Sequence, residues 1–79
     1  MNKQKLELMI MATCPFCQRV LNYLLTRKDL EIGIRDINED PDAKIKLETI
    51  GGKKQVPCLF VDDKPMYESM DIIEFLKTL

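Results

Sequence analysis

Apolar and polar positions change period several times along this chain, and each change predicts an element. Leu6 to Met11 reads "LELMIM", an almost unbroken apolar run carrying one charge, which predicts a buried strand. From Pro15 to Lys28 the apolar residues fall at Cys17, Val20, Leu21 and Leu24, the spacing of one helical face. Pro15 suits the first helical position, and Arg27 and Lys28 close the last turn, where cations complement the helix dipole. Glu31 to Ile37 alternates around Ile32 and Ile34 and predicts a second strand. Asp40 as N-cap, Pro41 as first residue and Gly51-Gly52 as stop frame a second helix, with Ala43, Leu47 and Ile50 facing inward. Cys58–Val61 and Pro65–Tyr67 read as a hairpin turning at Asp62-Asp63-Lys64. Ser69 then caps a last helix whose stripe is Ile72, Ile73, Leu76 and Leu79.

The predicted order is strand, helix, strand, helix, strand, strand, helix. A βαβ unit makes the first two strands parallel, and the hairpin adds antiparallel strands to the same sheet. The fold class is therefore α/β, a four-stranded mixed sheet flanked by helices. With 79 residues and no linker, repeat or low-complexity segment, residues 1–79 read as one domain with one core. A chain that is 46% hydrophobic and 32% charged is globular in composition. Its net charge is −1 with both signs interspersed, and neither a basic cluster nor a base-reading motif points to nucleic acid. No apolar run approaches membrane-spanning length, and Glu7 interrupts the apolar start before it reaches the length of a signal segment. The expectation is a monomer in the cytoplasm.

The chain holds three cysteines, Cys14, Cys17 and Cys58, and no histidine. That count argues against a secreted disulfide scaffold. It also rules out a Cys-His catalytic pair. A zinc site needs about four ligands, and beyond "CPFC" the chain offers only Cys58 and carboxylates, so no metal site is expected. A C-x-x-C beside a βαβ pattern is a redox signal. With Cys14 at the N-cap, its sulfur sits at the positive end of the helix dipole and within reach of the Phe16 and Cys17 N–H groups. Both effects favour thiolate over thiol. Pro15 leaves Cys14 at an exposed corner. Cys17, one turn on and nearer the core, suits a resolving thiol. Cys58 alternates onto one face with Phe60 and reads as a buried, inert thiol. The methionines at 9, 11, 66 and 70 read as packing residues.

"TCPFC" after the first strand, "QVPCLF" entering the third and "YESMDIIEFL" at the last helix together resemble the glutaredoxins, and the glutaredoxin-like domain that opens the glutathione transferases. The resemblance implies a thioredoxin-like fold and a glutathione-dependent thiol–disulfide oxidoreductase. Glutathione would be its co-substrate, and glutathionylated or disulfide-containing proteins its partners. It implies Cys14 as nucleophile and Cys17 as resolving thiol. It implies a cis Pro57 facing the pair, with Val56 pairing through its backbone to the cysteine of glutathione. Glu68, Ser69 and Asp71 match the family's site for the γ-glutamyl end. There are departures. Met11 stands where many glutaredoxins carry a lysine three residues before the nucleophile, leaving Gln18, Arg19, Lys53 and Lys54 as candidates for the glycyl carboxylate. Tyr67-Glu68 replaces a Gly-Gly pair, the transferase-like form. Two alternatives stay open: an electron donor reduced by a flavoprotein reductase, and a carrier of a glutathione-ligated iron–sulfur cluster.

Overall fold

The computed structural model describes residues 4–79, so Met1 to Lys3 of the expected domain lie outside the described residues. The elements follow in the order β1 (Leu6–Ile10), α1 (Pro15–Leu24), β2 (Gly33–Asp36), α2 (Pro41–Thr49), β3 (Cys58–Val61), β4 (Lys64–Met66) and α3 (Ser69–Leu76). They build one four-stranded sheet in the order β2-β1-β3-β4. β1 runs parallel to β2 and antiparallel to β3, and β3 pairs antiparallel with β4.

Alternation along the two central strands divides the core between the faces of the sheet. Leu6, Leu8, Ile10 and Leu59 pack with Cys17 and Val20 of α1 and with Ile72, Ile73 and Leu76 of α3. Met9, Cys58 and Phe60 pack on the other face with Ile37 and with Ala43 and Leu47 of α2. Two helices therefore cover one face and one helix the other. The β1 and β3 ends that carry Ile10 and Cys58 share one edge of the molecule, where both cysteine-bearing segments meet.

Several boundaries differ from the sequence reading. α1 stops at Leu24 rather than Lys28, with no basic residue in its last turn. The Thr26 hydroxyl donates to the Tyr23 carbonyl at 2.6 Å, and Arg27 swings out to donate to the carbonyls of Leu76 and Leu79 and to pair with Asp29. Arg27 thus holds the end of α3 instead of closing α1. β2 is shorter than Glu31–Ile37 and lies at the sheet edge, where neither α1 nor α3 covers Ile34, which is exposed. Ile50 and Leu79, expected to face inward, are also exposed, because each lies just past the last turn of its helix. The hairpin turns on Asp62 and Asp63, both at positive φ as a two-residue primed turn requires, so Lys64 joins β4 and Tyr67 leaves it. α2 has the cap that the sequence predicts: the Asp40 carboxylate accepts from the Ala43 N–H at 3.2 Å.

Candidate active site

Pro15 opens α1 with Cys14 as its N-cap in extended conformation. The helix start follows the end of β1, and the Cys14 N–H donates to the Met11 carbonyl at 3.1 Å. Cys14 is half-buried at the rim, whereas Cys17 and Cys58 are wholly buried, and all three are free. The sequence reading gave Cys14 a capping bond from Phe16 or Cys17, and the structure does not show it. The thiol instead donates to the Val56 carbonyl, Sγ to O 3.9 Å, across 42 positions of chain. A thiol is a weak donor, and the Val56 carbonyl accepts from it.

Burial separates the other two thiols from the first. It pushes Cys17 up to about 12, helped by the neighbouring Cys14 and opposed by a backbone hydrogen bond at Met11. It pushes Cys58 up to about 11. With Cys17 and Cys58 fully buried, Cys14 is the thiol that solvent reaches.

The Val56–Pro57 bond is cis. Val56 lies just before β3, its N–H has no partner among the described residues, and its carbonyl receives only the Cys14 thiol. Val56 and Pro57 line a cleft of about 250 Å³ together with Phe16, Arg19, Gln55, Glu68, Ser69 and Met70. α1, the approach to β3 and the start of α3 each supply a wall.

The start of α3 departs from the sequence reading. Glu68, not Ser69, is the N-cap, and its side chain makes no capping bond. Glu68 sits at φ 68°, ψ 111°, a conformation natural to glycine and costly for a side chain. Ser69 is the first helical residue and is 7% exposed. Of the residues expected to bind, Val56, Pro57, Glu68 and Ser69 share the cleft. Asp71 lies in the first turn of α3 but outside the cleft lining.

Among the four candidates for a glycyl carboxylate, Gln18 is engaged with the Ala12 carbonyl at 3.1 Å, and Lys53 sits over the Tyr67 ring, 4.6 Å from its centroid. Arg19 lines the cleft. The sequence reading took Met70 for packing, but it is exposed and forms part of the cleft wall. Gln55 was missed. Its position directly before Val56-Pro57 was the available signal.

A family model for Glutaredoxin matches residues 6–66. This chain belongs to the glutaredoxin family. Over 61 residues it is 38% identical to a protein of Synechocystis sp. named "Probable glutaredoxin", across 76% of this chain and 68% of that one. Its fold superposes on the Archaeoglobus fulgidus glutaredoxin with a TM-score of 0.71 at 22% identity, covering 96% of this chain and 89% of the other. It also superposes on glutathione transferase Omega 3C of Trametes versicolor, TM-score 0.75 at 27% identity, covering 98% of this glutaredoxin and 34% of the transferase. A rice glutathione transferase solved in complex with glutathione matches over 99% of this chain and 34% of its own, TM-score 0.69 at 25% identity. No helix among the described residues of this glutaredoxin is long and apolar enough to cross a membrane. No group of three or more Cys, Asp or Glu among them could hold a metal ion.

Proposed function

We propose that this glutaredoxin is a glutathione-dependent thiol–disulfide oxidoreductase that reduces protein–glutathione mixed disulfides, and disulfides, through Cys14 and Cys17. The reading rests on one observation. The half-buried thiol of the pair lies 3.9 Å from the carbonyl of Val56, a residue whose backbone is otherwise unpaired among the described residues and which lines the adjoining cleft. A nucleophile and an open strand-like edge thus adjoin, and an extended tripeptide disulfide needs both.

Ionisation of Cys14 removes the hydrogen it donates to Val56, so the same event frees the nucleophile and the carbonyl. The thiolate attacks the glutathione sulfur of the mixed disulfide. A new S–S bond forms to Cys14, the old S–S bond breaks, and the protein leaves as a thiolate that takes a proton from water. The glutathione cysteine pairs its N–H and C=O with Val56. A second glutathione, as thiolate, attacks the bound glutathione sulfur, giving glutathione disulfide and returning Cys14 as thiolate. For a protein disulfide, Cys17 attacks the Cys14 sulfur of the protein mixed disulfide and gives its proton to the departing thiolate. The Cys14–Cys17 disulfide results, and two glutathiones reduce it, leaving as glutathione disulfide. Burial raises the Cys17 thiol, so it attacks as the thiol losing its proton to the leaving sulfur rather than as a free thiolate.

On this reading the chain acts as one monomeric domain in a reducing cytoplasm. The decisive experiment is turnover of a glutathionylated peptide, with glutathione and glutathione reductase compared against thioredoxin reductase and no glutathione. Turnover in the first system alone supports the proposal. Turnover only in the second identifies an electron donor reduced by a flavoprotein.

A further inference from the structure

Cys14 stands at the end of a four-residue turn, Met11 to Cys14, and at the start of α1. Its backbone is held at both polar groups. The Cys14 N–H donates to the Met11 carbonyl at 3.1 Å, closing the turn, and the Cys14 carbonyl accepts from the Gln18 N–H at 3.0 Å, opening the helix. Gln18 lies one turn after Cys14 on the same helix face. Its side chain reaches back past Cys14, and Nε2 donates to the Ala12 carbonyl at 3.1 Å. That carbonyl belongs to the peptide between Ala12 and Thr13, the central unit of the turn. The commonest turn types differ mainly in the direction of this unit, so it is the part of a turn that swings most easily. Gln18, Ala12 and Thr13 are all exposed. Released, the Ala12 carbonyl would bond water instead, so the bond adds little to overall stability. What it adds is a fixed direction for the peptide that leads into Cys14.

We propose that Gln18 is a positioning residue for the reaction at Cys14: its side-chain amide locks the Ala12–Thr13 peptide and so holds the turn that aims the Cys14 sulfur along the backbone edge of Val56. This rests on the reading of Cys14 as the attacking thiol. With its N–H, its carbonyl and the preceding peptide all tied, the freedom left to the Cys14 sulfur is rotation of its own side chain. The thiol then meets the Val56 carbonyl, Sγ to O 3.9 Å. Displacement at a disulfide sulfur needs the attacking sulfur in line with the bond that breaks. A nucleophile on a rocking turn spends less of its time in that direction. Gln18 touches no reacting atom and acts through Cys14. Its amide nitrogen is committed to the Ala12 carbonyl, so its part in the reaction is to hold this chain and not a carboxylate of the substrate.

The test uses the reduced full chain and a glutathionylated peptide in single turnover, with mass spectrometry reading glutathione on Cys14 at each peptide concentration. Iodoacetamide, small and neutral, is the reference for undirected reactivity of the same thiol. Gln18→Met keeps the reach of the side chain and removes its donor. It lowers the saturating rate about fivefold, leaves the half-saturating concentration unchanged and slows alkylation less than about twofold. Gln18→Lys, whose ammonium is a donor long enough to reach the Ala12 carbonyl, restores most of the rate at high ionic strength, where its charge is screened. Asn22→Met, which alters another exposed polar residue one turn along α1, behaves as wild type. Gln18 is exposed, so the variants fold, and urea melts verify it. A raised half-saturating concentration at an unchanged saturating rate overturns the proposal, because it makes Gln18 a substrate contact. So does an equal fall in both reactions, which makes it a support of the fold or of the thiol's ionisation. An unaltered saturating rate, or a Gln18→Lys variant as slow as Gln18→Met, overturns it too. Failure of the parent reading is a separate result, the absence of glutathione from Cys14 in wild type.

Discussion

The hydroxyl of Tyr67 donates to the carbonyl of Gly51 at 2.7 Å, tying the entrance to α3 to the loop that leads to Val56. The two residues are shaped for each other. A Cβ on Gly51 would come within 2.5 Å of the Tyr67 hydroxyl and of the Leu47 carbonyl. The same hydroxyl lies 3.4 Å from the Lys53 carbonyl, and Lys53 covers the ring. Tyr67 therefore fixes both walls that flank the backbone edge at Val56.

Tyr67→Phe keeps the ring and deletes the tie. It costs about 1 kcal/mol of stability, the worth of one such bond. The loop before Val56 loosens, so KM for a glutathionylated peptide rises roughly fivefold, the equivalent of the same energy, while kcat holds. Gly51→Ala costs about 1–3 kcal/mol by overpacking. Adding Tyr67→Phe to it recovers only part of the loss, because the Leu47 carbonyl is backbone and stays. Urea melts of the three variants with steady-state kinetics check this. Unchanged KM in Tyr67→Phe removes its positioning role.

Lys46 of α2 bonds Glu7 of β1 and, at 2.7 Å, Asp63 of the hairpin turn, and its ammonium lies 4.9 Å over the Phe60 ring. Glu7 and Lys46 are each 15% exposed. The hydrogen bond from Lys46 holds Glu7 below the usual carboxylate range. A depressed folded value means stability that is present above the unfolded pKa of ~4.3 and lost as pH falls through the folded value. Lys46→Ala should cost about 2 kcal/mol, between the effects expected for exposed and fully buried pairs. Lys46→Met should cost less, since the stem still packs. Both should flatten the acid limb of a stability profile measured between pH 3 and 7. A limb as steep as that of wild type would mean another carboxylate dominates it.

The legible parts of this protein were those with strong local signals. Pro15 behind Cys14, Asp40 before Pro41 and the apolar run of β1 each fix the start of an element, and all three elements begin where expected. Long-range partners were not legible in local signals. Ser69 read as the N-cap by residue type, and Glu68 takes that position instead, in the glycine-like conformation of the Gly-Gly pair it replaces. The residues around Cys14 do not by themselves say that its thiol meets Val56, 42 positions away; the family resemblance supplies that neighbourhood by setting a cis Pro57 opposite the pair. Ile50 and Leu79 read as inward-facing by period alone, but a period cannot tell a finished helix from one that continues.

Cys17 and Cys58 should make the reduced protein sensitive to alkali. Burial raises both thiols in the fold, to about 12 and about 11, above the ~8.5 of an unfolded cysteine. The unfolded chain then sheds these protons first. Their contribution is complete below pH ~8.5 and is lost as pH rises through the folded values, at up to ~1.4 kcal/mol per pH unit per thiol. Tyr67, also raised by burial, joins only above pH ~10. Cys58→Ala lowers baseline stability by leaving a cavity, yet its alkaline slope between pH 9 and 11 should be shallower. Urea melts under reductant at several pH values measure both, and an unchanged slope would mean that Cys58 does not titrate on unfolding.

The last expectation separates the two cysteines of the pair by accessibility and by role. Cys14 is half-buried at the rim, and Cys17 is wholly buried and held protonated. Iodoacetamide near neutral pH should therefore label one residue quickly, Cys14, with Cys17 and Cys58 protected until the chain unfolds. Cys14→Ser should abolish turnover of glutathionylated substrates, because an alcohol is not ionised at this pH and cannot displace a thiolate. Cys17→Ser should keep that turnover within about twofold, since free glutathione resolves the intermediate at the exposed sulfur. It should lose at least tenfold on a protein disulfide substrate, where Cys17 releases the reduced protein from Cys14 before glutathione reduces the Cys14–Cys17 disulfide. Mass spectrometry of trapped intermediates distinguishes the routes. Glutathione should be found on Cys14 in the Cys17→Ser variant, and an accumulation on Cys58 instead would reverse the assignment. Equal loss of both activities in Cys17→Ser would show that the buried thiol supports the reactivity of Cys14 rather than resolving its disulfides.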